Sequence, residues 1–169
     1  MGPASRYSKS CSVYPPPPIM RAFSKSSEYA IRALTRLAQQ SDGRTYQLTR
    51  ELADDLDIPA PFLGKILQAL SAAGVLESQR GRKGGFRLAA ASSETSLMRI
   101  LEVLDNANEE RLCILGQADC TDERACPMHE FWKQASGDFL DRVRDTSLAD
   151  LILFCERNPA SEYPVARRA

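Results

Sequence analysis

Three of the five cysteines, Cys113, Cys120 and Cys126, fall within fourteen residues, and the only histidine of the chain, His129, lies three positions beyond the last of them. Thiolate sulfur and neutral imidazole nitrogen are the soft and borderline donors that hold zinc and iron. The stretch Cys113-Ile-Leu-Gly-Gln-Ala-Asp-Cys120-Thr-Asp-Glu-Arg-Ala-Cys126-Pro-Met-His129 leaves gaps of six, five and two residues. Those gaps do not match the paired Cys-x-x-Cys spacing of structural zinc sites. Loose loops suit an iron–sulfur cluster, whose irons spread their ligands farther apart than a single zinc ion does. A cluster is therefore the first reading, structural zinc the second, and a cluster-free thiol redox switch the third. An odd number of cysteines without a secretory signal argues against a disulfide framework. Cys11 falls in a polar N-terminal stretch and Cys155 on an apolar helix face, where cysteine behaves as a small hydrophobe; neither is assigned a role.

A second group of residues points to phosphate. Between Val75-Leu-Glu-Ser-Gln79 and Phe86-Arg-Leu88 lies Arg80-Gly-Arg-Lys-Gly-Gly85, two short strands flanking a basic, glycine-rich tip. Glycines there allow positive φ and bare the backbone to a close-approaching phosphate, while Arg80, Arg82 and Lys83 supply charge. The hairpin reads as a wing rather than a solvated turn with incidental charge, because of the helices before it.

Those helices follow from apolar periodicity. From Ser24, the residues Ala30, Ile31, Leu34, Leu37 and Ala38 make one stripe, ended by Asp42-Gly43. A short helix starting near Thr49, with that hydroxyl as cap, buries Leu52, Ala53 and Leu56 and stops at Asp57-Ile58-Pro59. A third, opening with Pro61 and closing at Gly74, carries Leu63, Ile66, Leu67 and Leu70 inward. The last two have the spacing of a helix-turn-helix. Beyond the wing, Ser96 caps a helix with Leu97, Ile100, Leu101 and Leu104 on one face. From about Met128 a longer helix shows Trp132, Ala135, Phe139 and Val143, followed by Leu148, Leu151 and Ile152, as a core or dimer seam.

The whole chain of 169 residues is formally neutral, which at first argues against a nucleic-acid partner. The neutrality conceals a division: residues 21–90 hold eleven Lys/Arg against seven Asp/Glu, and residues 91–169 hold nine against fifteen. One half suits phosphate and the other does not. No apolar run approaches a membrane span and no signal-like segment opens the chain, so a cytoplasmic location is expected. The polar residues 1–19 end in Tyr14-Pro-Pro-Pro-Pro18 and are excluded from the fold as a disordered extension, with Met20 as a candidate natural start. No phosphate loop or Ser/His/Asp arrangement supports an enzyme.

Taken together, the residues resemble the winged-helix iron–sulfur transcription regulators typified by IscR and NsrR. The resemblance spans residues 20–154. It is carried by Ser78-Gln-Arg-Gly-Arg-Lys-Gly-Gly-Phe-Arg-Leu88, by the three-cysteine segment, and by Met20-Arg-Ala-Phe-Ser-Lys25, Glu28-Tyr-Ala-Ile-Arg-Ala-Leu34 and Thr146-Ser-Leu-Ala-Asp-Leu151. It implies a mainly α fold, with a winged helix-turn-helix domain bearing a two-stranded wing over residues 20–90. A cluster loop and dimerisation helices, including a long C-terminal one, would occupy residues 91–155, and a flexible tail residues 156–169. It further implies a homodimer whose recognition helices read a double-stranded, pseudo-palindromic operator at about 34–36 Å spacing. On the helix over residues 61–72 the inward leucines leave Phe62, Lys65, Gln68 and Ala69 outward. Gln68 suits adenine, Lys65 guanine or phosphate, and Arg80 the backbone or minor groove.

The same resemblance implies a ligand set of Cys113, Cys120 and Cys126 with His129 as the fourth. NsrR-like members instead draw an acidic residue from the partner subunit, which here falls on Glu28, otherwise a solvated helix charge. A [2Fe–2S] cluster is expected ahead of a [4Fe–4S] one. Occupancy of the cluster would shift the dimer between two arrangements of the winged domains, changing DNA affinity by ~1–3 kcal/mol in response to iron, nitric oxide or oxidants. A zinc-stabilised module that binds no DNA is the rival from another class, and it leaves the basic hairpin without a purpose.

Overall fold

The computed structural model describes residues 22–81, 84–105, 113–117 and 120–165. The expected N-terminal extension, Cys11, Met20 and two of the wing cations, Arg82 and Lys83, lie outside those residues. Among the described residues the order is α1 (Lys25–Gln39), α2 (Thr49–Leu56), α3 (Ala60–Ala72), β1 (Leu76–Gln79), β2 (Gly85–Leu88), α4 (Leu97–Leu104), α5 (His129–Asp145) and α6 (Leu148–Arg157). The two strands pair antiparallel, from Leu76 opposite Leu88 to Gln79 opposite Gly85.

The Ser24 hydroxyl accepts the Ser27 N–H at 3.1 Å and starts α1, which then runs through the centre of the molecule. Leu34 and Leu37 of α1, Leu56 of α2, Leu63, Leu67 and Leu70 of α3, and Ile100 of α4 are all fully buried. Each such side chain contributes about 1.5–3 kcal/mol relative to leaving it in water, so α3 is fixed from within and keeps its opposite face free. Arg36 and Asp55 join α1 to α2 through a two-pronged ion pair, its second contact at 2.9 Å.

Helix α2 begins at Thr49, as expected, but without the expected cap. Thr49 is its first helical residue and Leu48 holds the cap position without a side-chain bond. The cause is non-local: Gln47 and Phe86 exchange both backbone hydrogen bonds, each 2.9 Å, adding an isolated bridge to the wing and holding the chain extended up to Leu48. Pro61 is likewise second in α3, after Ala60. The end of α3 is as expected, with Gly74 at φ +77 and the Val75 N–H donating to Leu70 at 2.9 Å.

The C-terminal half is not one continuous helix. Helix α5 stops at Asp145, and Ser147 opens α6 with a capping box, its hydroxyl accepting the Asp150 N–H while the Asp150 carboxylate accepts the Ser147 N–H at 2.8 Å. That elbow is bonded to the start of α4 by Leu97 N–H to Thr146 and Leu148 N–H to Thr95, both 2.9 Å. Within residues 156–169, expected as a flexible tail, α6 runs to Arg157, and the described residues up to 165 return to α1. The Tyr163 hydroxyl lies 3.0 Å from that of Thr35, and the Pro164 carbonyl accepts from the buried Arg32 guanidinium at 2.6 Å. Arg32 also donates to Leu56 at the end of α2, at 2.5 Å, so one buried cation joins α1, α2 and the C-terminal strap.

Candidate DNA-binding face and metal centre

The apolar pattern of α3 sets its outer face. With Leu63, Ile66, Leu67 and Leu70 buried, Phe62, Lys65, Gln68 and Ala69 are exposed along one side. The first turn carries no acidic residue, so no carboxylate of the helix itself opposes a phosphate there. Phe62 is the exception to a purely outward face. Its ring meets Tyr29 edge-on at 5.8 Å, with Lys25 and Arg32 over the same tyrosine at 5.0 and 5.7 Å, so it braces α3 against α1 while remaining partly exposed.

Arg80 is exposed at the end of β1. Arg87 is spent internally: it pairs with Glu77 across the ladder at 2.6 Å and lies over the Tyr46 ring at 4.8 Å. The expected positive φ is found at Gly81 and Gly85, and two of the glycines also answer to the chain itself. A side chain on Gly85, at φ +136, would meet the Gln47 carbonyl at 2.1 Å, and one on Gly84 would meet that of Gln79 at the same distance. The bareness of Gly85 lets the wing close against residue 47, and that of Gly84 lets the tip fold back on Gln79; Gly81, at φ +105, faces open space.

The cysteine segment is assembled by turns. Gly116, at φ +78, closes a turn whose N–H donates to the Cys113 carbonyl at 2.9 Å. That turn points the backbone N–H groups of Gln117 and Leu115 at the Cys113 sulfur. Together with the Cys126 and Cys120 thiols they hold the Cys113 thiol below its ordinary range, against the opposing effect of burial. A second turn, Cys126-Pro-Met-His129, is closed by the His129 N–H on the Cys126 carbonyl at 2.9 Å and leads into α5. The buried His129 ring has Nδ1 3.5 Å from the Cys120 sulfur and Nε2 2.8 Å from Asp122. Lys133, one turn along α5, reaches both oxygens of Asp122 at 2.7 and 2.9 Å. With Lys133 first and His129 second in effect, the Asp122 carboxyl is held down to about 2.

Three of the expected ligands and the histidine therefore meet, and the donor set fits an iron–sulfur group: adjacent thiols, backbone N–H groups aimed at sulfur, and one imidazole nitrogen turned toward them. Among the described residues, the group whose ligand atoms all lie within 4.8 Å of one another is Asp122, His129 and Glu130; the thiols do not join it. Glu28 lies elsewhere, paired with Lys25 at 2.8 Å in the first turn of α1. Asp122 and Lys133 were missed in the sequence. The signal was present in an acid two residues past Cys120 and a lysine four past His129, but only the fold shows that both converge on the imidazole.

Comparison with known proteins places these features. The family model Rrf2, described as an iron-dependent transcriptional regulator, matches residues 23–153. A putative HTH-type transcriptional regulator of Aquifex aeolicus (strain VF5) is 32% identical over 147 residues, 86% of this chain and 99% of the relative. Among solved structures, CymR, the global cysteine regulator of B. subtilis, superposes with a TM-score of 0.67 at 18% identity, covering 80% of this chain and 98% of CymR. IscR of T. potens superposes at 0.60 with 21% identity, covering 86% and 92%. The architecture of six helices and a two-stranded wing is that of these regulators.

Proposed function

The chain belongs to the Rrf2 family of iron-dependent transcriptional regulators, and from that premise we propose a sequence-specific, homodimeric DNA-binding regulator of the cytoplasm that senses iron–sulfur, redox or nitric oxide status. The sensor is a cluster held by Cys113, Cys120, Cys126 and His129, [2Fe–2S] ahead of [4Fe–4S], with Glu28 of a second subunit as the alternative fourth ligand. The observation that carries this reading is the convergence of three thiols and a buried imidazole at the head of α5, in a chain whose other half is a winged helix-turn-helix.

On the DNA side, Lys65 and Gln68 of α3 read base edges in the major groove, and Arg80, with Arg82 and Lys83, contacts the backbone or minor groove. The partly apolar surface of α5 and α6, with Phe131, Phe139, Leu153 and Phe154 exposed, is suited to a two-fold partner. A bound cluster would supply one-electron redox chemistry and sensitivity to oxidants and nitric oxide. Cys113 follows α4, which packs on α1 and α3, whereas Cys126 and His129 open α5. Ligands taken from both segments tie the winged half to the helical half, and loosening that tie changes how the two α3 helices are presented.

Anaerobic purification followed by absorbance, iron and sulfide analysis tests the sensor: a coloured protein with iron and sulfide in equal amounts is expected, and a colourless protein carrying zinc selects the zinc reading instead. A mobility-shift assay with the protein's own upstream region tests the DNA role. Affinity should fall steeply with salt, and failure to bind any promoter fragment would sink it.

A further inference from the structure

The surroundings of His129 carry one step more, resting on the cluster reading above. We propose that Asp122 is a positioning residue for the cluster, which accepts the Nε2 hydrogen of His129 and so leaves Nδ1 free to ligate on the Cys120 side. A neutral imidazole carries a single ring hydrogen, an ionised carboxylate only accepts, and an ammonium only donates. Lys133 bonds both oxygens of Asp122, and the Nε2 of His129 lies 2.8 Å from one of them. The hydrogen between ring and carboxylate therefore sits on Nε2, and the lone pair sits on Nδ1, 3.5 Å from the Cys120 sulfur. A carboxylate behind a histidine that faces a metal fixes both tautomer and ring angle and makes the ligating nitrogen more basic.

The ordinary alternative is a surface ion pair. The Asp122 side chain is 69% exposed and that of Lys133 40%, and a pair so wetted adds little to stability. That is too little to explain why the carboxylate sits on the Nε2 atom of a ring that is itself only 4% exposed. Geometry explains it better. His129 and Lys133 are one helical turn apart on α5, and the short 3-10 turn Asp122–Arg124 presents Asp122 to both.

Because His129 is the only histidine, ¹⁵N-histidine labelling of tag-free, full-length protein reports on a single ring. In reduced, metal-free protein we expect a hydrogen resonance on Nε2 resolved by its bond to Asp122. In Asp122→Ala that signal is lost to exchange, in Asp122→Glu it returns, and in Lys133→Gln, which keeps the carboxylate, it persists. After anaerobic reconstitution with iron and sulfide, hyperfine spectroscopy of the reduced protein should couple the electron spin to Nδ1. Asp122→Ala should then lose iron to a chelator roughly 10–100-fold faster than the parent, with matched thermal unfolding showing that the fold is intact. An Nε2 resonance absent from the parent or unchanged in Asp122→Ala, hyperfine coupling through Nε2, or equal iron retention overturns the role. A parent protein that takes up no iron ends the cluster reading and this role with it, whereas a parent that takes up iron beside an equally retentive Asp122→Ala overturns the role alone.

Discussion

Around α1, order comes from burial: Leu34, Leu56, Leu63, Leu67 and Leu70 are fully enclosed, and the wing is bonded to residue 47 by its own backbone. Between α4 and α5 the picture reverses. There, among the described residues, Cys113 alone is buried, Leu115 stands 59% exposed, and the contacts are turns, thiols and the polar line from Lys133 through Asp122 to His129. A region held by apolar contacts needs nothing bound to keep its shape. A region held by sulfur and polar groups takes its shape from what those groups hold, the property that the proposed sensor would require.

Lesions in the two halves should therefore separate. Leu67→Ala removes a fully buried side chain between α3 and α1 and should cost about 2–5 kcal/mol in denaturant unfolding, with loss of operator binding as α3 loosens. Cys120→Ser should abolish the cluster yet leave the unfolding of the winged half nearly unchanged. If the serine variant proves as unstable as the alanine one, the two regions are a single cooperative unit and the contrast fails.

Gly85→Ala tests whether the wing is built by the chain or shaped for DNA. The added carbon would meet the Gln47 carbonyl at 2.1 Å in a positive-φ conformation, and strain of that kind costs about 1–3 kcal/mol. Operator affinity should drop together with stability. Gly81→Ala, with open space around it, should be milder on both counts. Equal effects would return the glycines to phosphate contact.

On the reading surface itself, Gln68→Ala should cost about 1–3 kcal/mol at one operator position and relax specificity there. Arg80→Ala should weaken all sequences alike and lower the salt slope by about one. A gel-shift salt series on matched and mutated operators separates the two. An Arg80→Ala protein with unchanged affinity would remove the wing from the interface.

How much of this was legible in the sequence follows the same division. The stripes of α1, α3 and α4, the Gly74 stop and the basic hairpin could be read because each depends on neighbours within a turn or a hairpin. Thr49 does not cap α2 because Gln47 answers to Phe86, thirty-nine positions away. The elbow at Ser147 was passed over, although Ser147 and Asp150 spell a capping box, because the apolar residues continue across it. Cys113, Cys120, Cys126 and His129 are recognisable by type, and their resemblance to a known pattern supplies the grouping; Asp122 stands close to them in the sequence, but only the fold brings it to the ring.

The smallest effect concerns the strap that joins α6 to the winged half. Burial, reinforced by Cys155 nearby, pushes the Tyr163 phenol above its ordinary range, with Thr35 and Arg32 acting the other way. A phenol whose folded pKa is raised releases its proton in the unfolded chain first. Its contribution is thus fully present below the unfolded value of about 10 and is lost as pH rises through the folded one. The stability of the parent minus that of Tyr163→Phe, followed by denaturant titration, should be flat up to about pH 9 and then fall. At neutral pH the phenylalanine variant should lose about 0.5–1.5 kcal/mol, the worth of the bond to Thr35. A difference that stays level through the alkaline range would mean that the strap is loose in solution, leaving the packing of α6 on α1 and of α5 on α4 to join the two halves.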